Sequence, residues 1–247
     1  MTGQSLLDEK SARRELAACY RLFDHLGWTE AIFNHITLRV TGREGAPAYL
    51  INPFGLHYSE VTAGNLVKVD ETGASPAEGA KINLAGFVIH GAIHQARDDA
   101  HCIMHVHTTA GCAVSCKESG LRHDNFYSAM LHGAVGYHDY EGVTTSLDER
   151  PRLVRALGRH SYLILRNHGL LAVGDTVAQA FRRLWTLQRA CEIQLASDAG
   201  AGPNRVIAHD VLQAVPASRL QDSETQSTAQ LMFDAMLRRA GIERESL

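Results

Sequence analysis

No block of lysine or arginine runs through this 247-residue chain: 24 basic residues stand against 27 acidic ones, a net charge of −3. Without a basic stripe the chain lacks the electrostatic footprint of a nucleic-acid partner. Long apolar runs are missing too. The segment nearest to a membrane span, residues 82–96, is 15 residues long and holds Asn83, two histidines and Gln95. It is too short and too polar to cross a bilayer. The first ten residues show no basic region followed by an apolar run, so no secretory signal is expected. The five cysteines form no C-x-x-C pair and are odd in number, which speaks against a disulfide framework and for a reducing, cytoplasmic compartment. What remains is 45% hydrophobic and 21% charged, an ordinary globular composition at a length that can bury a sizeable core.

No linker, repeat or low-complexity block divides the chain. Apolar periodicity predicts a helix over 11–26, opened by Ser11 with Glu15 nearby and closed by Gly27. Short strands are expected at 36–40, 49–51 and 66–69, with a turn at Asn52-Pro53-Phe54-Gly55. A polar loop follows over 71–79. A helix over 83–97 leads into a strand at 102–107, and 109–117 reads as helical. Residues 121–145 are mixed, 148–159 helical, and 162–173 a strand pair. Thr176 and Gln179 form a capping box that opens a long amphipathic helix. A second box, Ser223 to Gln226, starts a C-terminal helix reaching about Arg239. The expected organisation is one domain over 1–202 and a C-terminal extension over 203–247, with helices flanking a mixed sheet.

His105-Val106-His107 is the most informative stretch. On a strand, residues two apart point the same way, so two imidazoles converge from one buried face. His168 offers a third, following the apolar run Tyr162–Leu165, with Gly169 expected to permit a sharp turn. Three neutral histidines with an open position suit a catalytic metal more than a closed structural one. A lone H-x-H also arises by chance among 14 histidines, and spacing does not show that His168 comes near. A rival pair, His90 and His94, shares a helix face but lacks an acidic partner and sits among Phe87, Val88, Ile89 and Ile93. These two are expected to be core or helix-packing residues.

Gly27-Trp-Thr-Glu30, Asn34-His-Ile-Thr-Leu-Arg-Val40, Ile51-Asn-Pro-Phe-Gly-Leu56, His105-Val-His107 and Arg166-Asn-His-Gly-Leu170 occur in that order. Together they resemble the class II aldolase/adducin family over roughly residues 10–200. Tyr137-His-Asp-Tyr140 and Leu165-Arg-Asn-His-Gly169 resemble its adducin-like branch. The resemblance implies a three-layer α/β/α sandwich around a mostly antiparallel sheet, assembled as a homotetramer. It also implies a zinc ion, or manganese or iron in its place, held by His105, His107 and His168, with a small-molecule substrate. Tyr140 resembles the family's mobile tyrosine near the site, with packing as the alternative.

The departures bear on function. The family's aldolases carry Ser-Ser-Glu where this chain has Leu84, Ala85 and Gly86, and glycine can neither transfer a proton nor ligate. Solvent is expected to reach the metal through the gap beside Gly86. The phosphate cradle of those enzymes is replaced by Asn34-His35, Asn52-Pro53-Phe54-Gly55 and Leu84-Ala85, with hydroxyl donors gone at Phe54, Leu84 and Ala85. The expectation is a metal-dependent lyase of aldolase or decarboxylase type, acting on a small unphosphorylated hydroxy or keto acid, with Tyr140 supplying the missing base. Two alternatives stand beside it: a non-haem iron(II) oxygenase on the same three histidines, and a non-catalytic, adducin-like interaction protein.

Overall fold

Cys102–Val106 forms β4, the middle strand of a seven-stranded sheet, and all five of its residues are buried. In the computed structural model, residues 8–75, 79, 81–215 and 223–247 are described. The other strands are β1 (His35–Thr41), β2 (Pro47–Ile51), β3 (Val67–Asp70), β5 (Val135–His138), β6 (Tyr162–Leu165) and β7 (Gly169–Gly174), in the order β3-β2-β1-β4-β7-β6-β5. Every pairing is antiparallel except β5 with β6. The helices are α1 (Glu9–His25), α2 (Leu84–Ala96), α3 (Thr109–Ser115), α4 (Phe126–Ala129), α5 (Arg150–Leu157), α6 (Val177–Asp198), α7 (His209–Ala214) and α8 (Ser223–Ala240).

Period-two alternation sorts the two faces of the sheet. Ile36, Leu38 and Val40 of β1, Cys102, Met104 and Val106 of β4, and Leu170 and Ala172 of β7 join the core built with α1, α6 and α8. Ile103, Leu163, Leu171 and Val173 pack on the other side with Ile89 and Ile93 of α2 and Leu153 and Leu157 of α5. Because both faces are covered, the central strands read as nearly continuous apolar runs. The result is the expected α/β/α sandwich around a mostly antiparallel sheet.

Local chemistry shifts several expected boundaries. Helix α1 begins at Glu9, not at Ser11, because Asp8 caps it and accepts from Ser11 N at 3.1 Å and Ser11 Oγ at 2.7 Å. At α6, Thr176 Oγ1 accepts from Gln179 N at 3.1 Å, while Gln179 Oε1 accepts from Asp175 N at 2.8 Å. The box expected there therefore closes one residue early. The mixed stretch 121–145 resolves into α4 and the edge strand β5. The side chains of the expected box at Ser223 to Gln226 lie outside the described residues, as do residues 76–78 of the polar loop and residue 80 just after it.

Helix α8 packs on α1 and α6. It places Ala229, Phe233 and Leu237 in the main core, with Phe233 5.4 Å from the Phe181 ring. No helix among the described residues is long and apolar enough to cross a membrane. Replacing Phe233, fully buried, by alanine is expected to cost about 3–5 kcal/mol of unfolding free energy. Urea denaturation checks this, and a loss below about 1 kcal/mol would show that α8 is not part of the core.

Candidate metal centre

β1 and β4 pair so that His35 faces His105 and Thr37 faces Ile103. Alternation sends the side chains of His35, Thr37 and His105 toward α2, where His90 and His94 stand one turn apart. The sheet face that should be apolar here carries a polar seam. His107 lies just past the end of β4, and His168 sits in the β6–β7 connection beside it.

That connection is built differently from the expectation. Asn167, not Gly169, takes the left-handed conformation at φ 57°, which asparagine tolerates. Gly169 is needed for close approach instead. A Cβ there would stand 2.4 Å from Val106 O and 3.2 Å from His107 Cδ2, so any side chain would push the hairpin off β4.

The three expected ligands converge. His105 Nε2 is 2.8 Å from His107 Nε2 and 3.3 Å from His168 Nε2. One nitrogen of each ring lies within 4.8 Å of the others. His105 Nδ1 donates to Leu170 O at 2.9 Å, which leaves its Nε2 bare. Burial, followed by the neighbouring imidazoles, holds the His105 pKa well below the usual histidine range. Burial lowers His107 and brings His168 to about 4, with His107 and His138 adding to the shift. The rings are neutral at ordinary pH, the form in which imidazole ligates.

Tyr140 stands apart from this cluster. The residue is 55% exposed on a small pocket that also takes in His138, Glu149, Arg166 and His168. Within that pocket His138 Nε2 lies 2.9 Å from Glu149 Oε1, and both residues are buried.

The gap expected beside Gly86 is closed. A Cβ at Gly86 would meet His35 Cγ at 2.9 Å, His35 Cδ2 at 3.1 Å and Ile51 Cδ1 at 3.2 Å. The His35 imidazole fills that space, with its ring 5.0 Å from that of His105. His35 and Thr37 belong to a motif noted for its resemblance, but motif reading gives them no part beside the three histidines. Their signal in the sequence is the alternation of His35, Thr37 and Arg39 on one strand, opposite histidines four apart on a helix. His90 and His94 are buried as expected, and they are hydrogen-bonded: His90 to His35 and Thr37, His94 to Thr37 and Ala100 O.

Burial, aided by the Arg39 charge, lowers the pKa of His94 to about 3 in the folded protein, against about 6.5 in an unfolded chain. Between those values the unfolded chain binds the proton and the native one does not, so stability is complete above pH 6.5 and falls as pH drops. From pH 6.5 to 5, His94 alone should remove about 2 kcal/mol, and His35, His90 and His105 shift the same way. Urea unfolding with a chelator present should show this slope, reduced in His94→Gln. Stability that holds level from pH 7 to 5 would contradict it.

A family profile described as Class II Aldolase and Adducin N-terminal domain matches residues 14–195. A Pseudomonas aeruginosa protein provisionally named a class 2 aldolase is 42% identical over 242 residues, 94% of this chain and 89% of its own length. Alpha-adducin of Rattus norvegicus is 46% identical over 207 residues, which is 82% of this chain and 28% of adducin. L-fuculose 1-phosphate aldolase from Glaciozyma antarctica superposes with a TM-score of 0.81 at 27% identity. The match covers 97% of this chain and 95% of that one.

Proposed function

The chain belongs to the class II aldolase and adducin family, and on that premise we propose that it is a divalent-metal-dependent lyase. Its substrate in this reading is a small, unphosphorylated hydroxy or keto acid, cleaved at a C–C bond. The observation that carries the reading is the convergence of His105, His107 and His168. Nitrogens bound tetrahedrally at ~2.0–2.1 Å stand roughly 3.3 Å from one another, close to the 2.8 and 3.3 Å separations from His105 Nε2. The Leu170 carbonyl on His105 Nδ1 is the outer partner that a ligating imidazole takes. Zinc suits three neutral imidazoles, and iron or manganese would need oxygen ligands besides. Bound there, the ion would act as a Lewis acid toward the substrate oxygens and would stabilise the negative charge left on them when the C–C bond breaks.

The protein's own residues speak against a phosphorylated substrate. Asn83 Oδ1 already accepts from Ala85 N at 3.0 Å and Gly86 N at 3.4 Å, so the first turn of α2 has those amides occupied. Phe33 and Phe54, 6.4 Å apart, and Leu84 are exposed beside it. This is an apolar patch where a phosphate would need donors. Tyr140 is the proton-transfer group in this reading, set at the rim of the pocket that includes His168. Exposed Phe126, Val143 and Leu147 on the same stretch support its burial between subunits of a homotetramer. The cluster includes no carboxylate, which favours a lyase over the iron oxygenase with its two-histidine, one-carboxylate set. The adducin identity supports a second reading, a non-catalytic interaction module on the same fold.

Elemental analysis of protein purified without chelators should find about one divalent ion per chain, lost in His105→Ala, His107→Ala or His168→Ala. With the ion in place, a panel of small hydroxy and keto acids should include one that is cleaved. Tyr140→Phe should keep the ion and slow cleavage by about 10²-fold or more. Protein without any divalent ion would contradict the lyase reading, and a loaded protein inert to the whole panel would favour the module.

A further inference from the structure

Four side chains link the carbonyl of Ala100 to the edge of the three-histidine cluster, and the partners allow one arrangement of their protons. Ala100 O can only accept, so His94 Nδ1, 2.8 Å away, carries a proton. The buried, neutral ring then has a bare Nε2, which takes the one hydroxyl proton of Thr37 at 2.8 Å. Thr37 Oγ1 is left to accept from His90 Nδ1 at 2.9 Å. His90 Nε2 is in turn bare and accepts from His35 Nδ1 at 3.1 Å. The neutral His35 ring is thereby fixed with its proton on Nδ1 and a lone pair on Nε2.

Among the described residues nothing hydrogen-bonds that Nε2, although His35 is only 2% exposed. Unlike the sealed, unpartnered oxygens of Asn34 and Tyr49, this nitrogen keeps a little open surface, and an acceptor with so little water around it gains from a donor. His35 directly opposes His105 across the β1–β4 pair and occupies the room that a side chain at Gly86 would need. Where the aldolases this chain resembles place a carboxylate from the helix, this chain supplies an acceptor from the strand. A lone-pair acceptor selects for a donor: a ligand hydroxyl satisfies it, while a keto or ether oxygen in that position brings a second acceptor against it.

We propose that His35 Nε2 accepts a hydrogen bond from a hydroxyl of the small acid held at His105, His107 and His168, which makes His35 the residue that selects a hydroxy acid over its keto or ether counterpart. Thr37, His90 and His94 are positioning residues that hold its tautomer. The proposal rests on the reading of the three histidines as a metal centre.

Glycolate and methoxyacetate offer the same carboxylate and neighbouring oxygen, and differ in whether that oxygen carries a proton. Titrated calorimetrically into zinc-loaded protein, glycolate should bind about tenfold more tightly. His35→Phe should abolish the difference. Equal binding by the unmodified protein, or a preference that survives His35→Phe, would overturn the proposal. In ¹⁵N spectra of imidazole-labelled protein, His94, His90 and His35 should each show a protonated Nδ1 and a bare Nε2. A protonated Nε2 on His35 would overturn it independently of any ligand. Thr37→Val interrupts the relay without touching the acid; it should leave zinc content unchanged, mix the His35 tautomers and shrink the preference. An undiminished preference with an unmixed tautomer would show that the relay does not hold His35. Failure of zinc to bind, seen before any acid is added, would instead overturn the metal reading.

Discussion

A neutral imidazole buried in a sheet needs an acceptor for its proton, and something must use the lone pair of its other nitrogen. That requirement organises one face of this molecule. Alternation along β1 and β4 points His35, Thr37 and His105 at α2, and the fold answers each of them locally. Leu170 O takes the proton of His105, Ala100 O takes that of His94, and Thr37 stands between His94 and His90. The lone pairs left outside this accounting are those of the three clustered rings, His105, His107 and His168, and that of His35 Nε2. They mark the cluster and its edge as the part of the face built for something the chain does not itself supply.

Close packing makes the arrangement stiff. Gly86 and Gly169 are both places where one added carbon would collide, the first with the His35 ring and the second with the carbonyl of Val106. Interiors packed to this density transmit small volume changes. Gly86 therefore sets how near α2 comes to β1 and β2, and Gly169 how near the β6–β7 hairpin comes to β4, and with that how near His168 comes to His105 and His107. Burial also keeps the rings neutral, so that the property making this face sensitive to acid is the one that suits it to ligation.

Much of this was legible in the sequence, and the failures have identifiable causes. The strands at 102–107 and 162–173 and the helix opened by Thr176 follow from apolar runs and caps, which are local signals. The partnership of His105 and His107 follows from the two-residue repeat of a strand. His168 could be joined to them only through resemblance, because a β6–β7 hairpin folding back onto β4 is a long-range fact. Helix α1 begins early because the capping group, Asp8, lies outside the apolar repeat that marks its body. The expected gap beside Gly86 is closed for a similar reason: a missing side chain looks like empty space until the register of β1 against β4 shows which ring fills it. Resemblance places His35 only where a phosphate contact differs, and its position in a buried relay depends on His90 and His105, 55 and 70 residues away.

The family fixes the scaffold more firmly than it fixes the chemistry. A sandwich shared with L-fuculose 1-phosphate aldolase and with part of alpha-adducin hosts different sites, and here the three-histidine cluster is kept while the groups around it differ. The account stands on those three nitrogens sharing one ion. X-ray absorption at the edge of the metal that co-purifies with the protein reads the ligand set directly. Three imidazole nitrogens at ~2.0–2.1 Å with one or two oxygen neighbours are predicted. Sulfur in the first coordination sphere, or fewer than three imidazoles, would contradict the account.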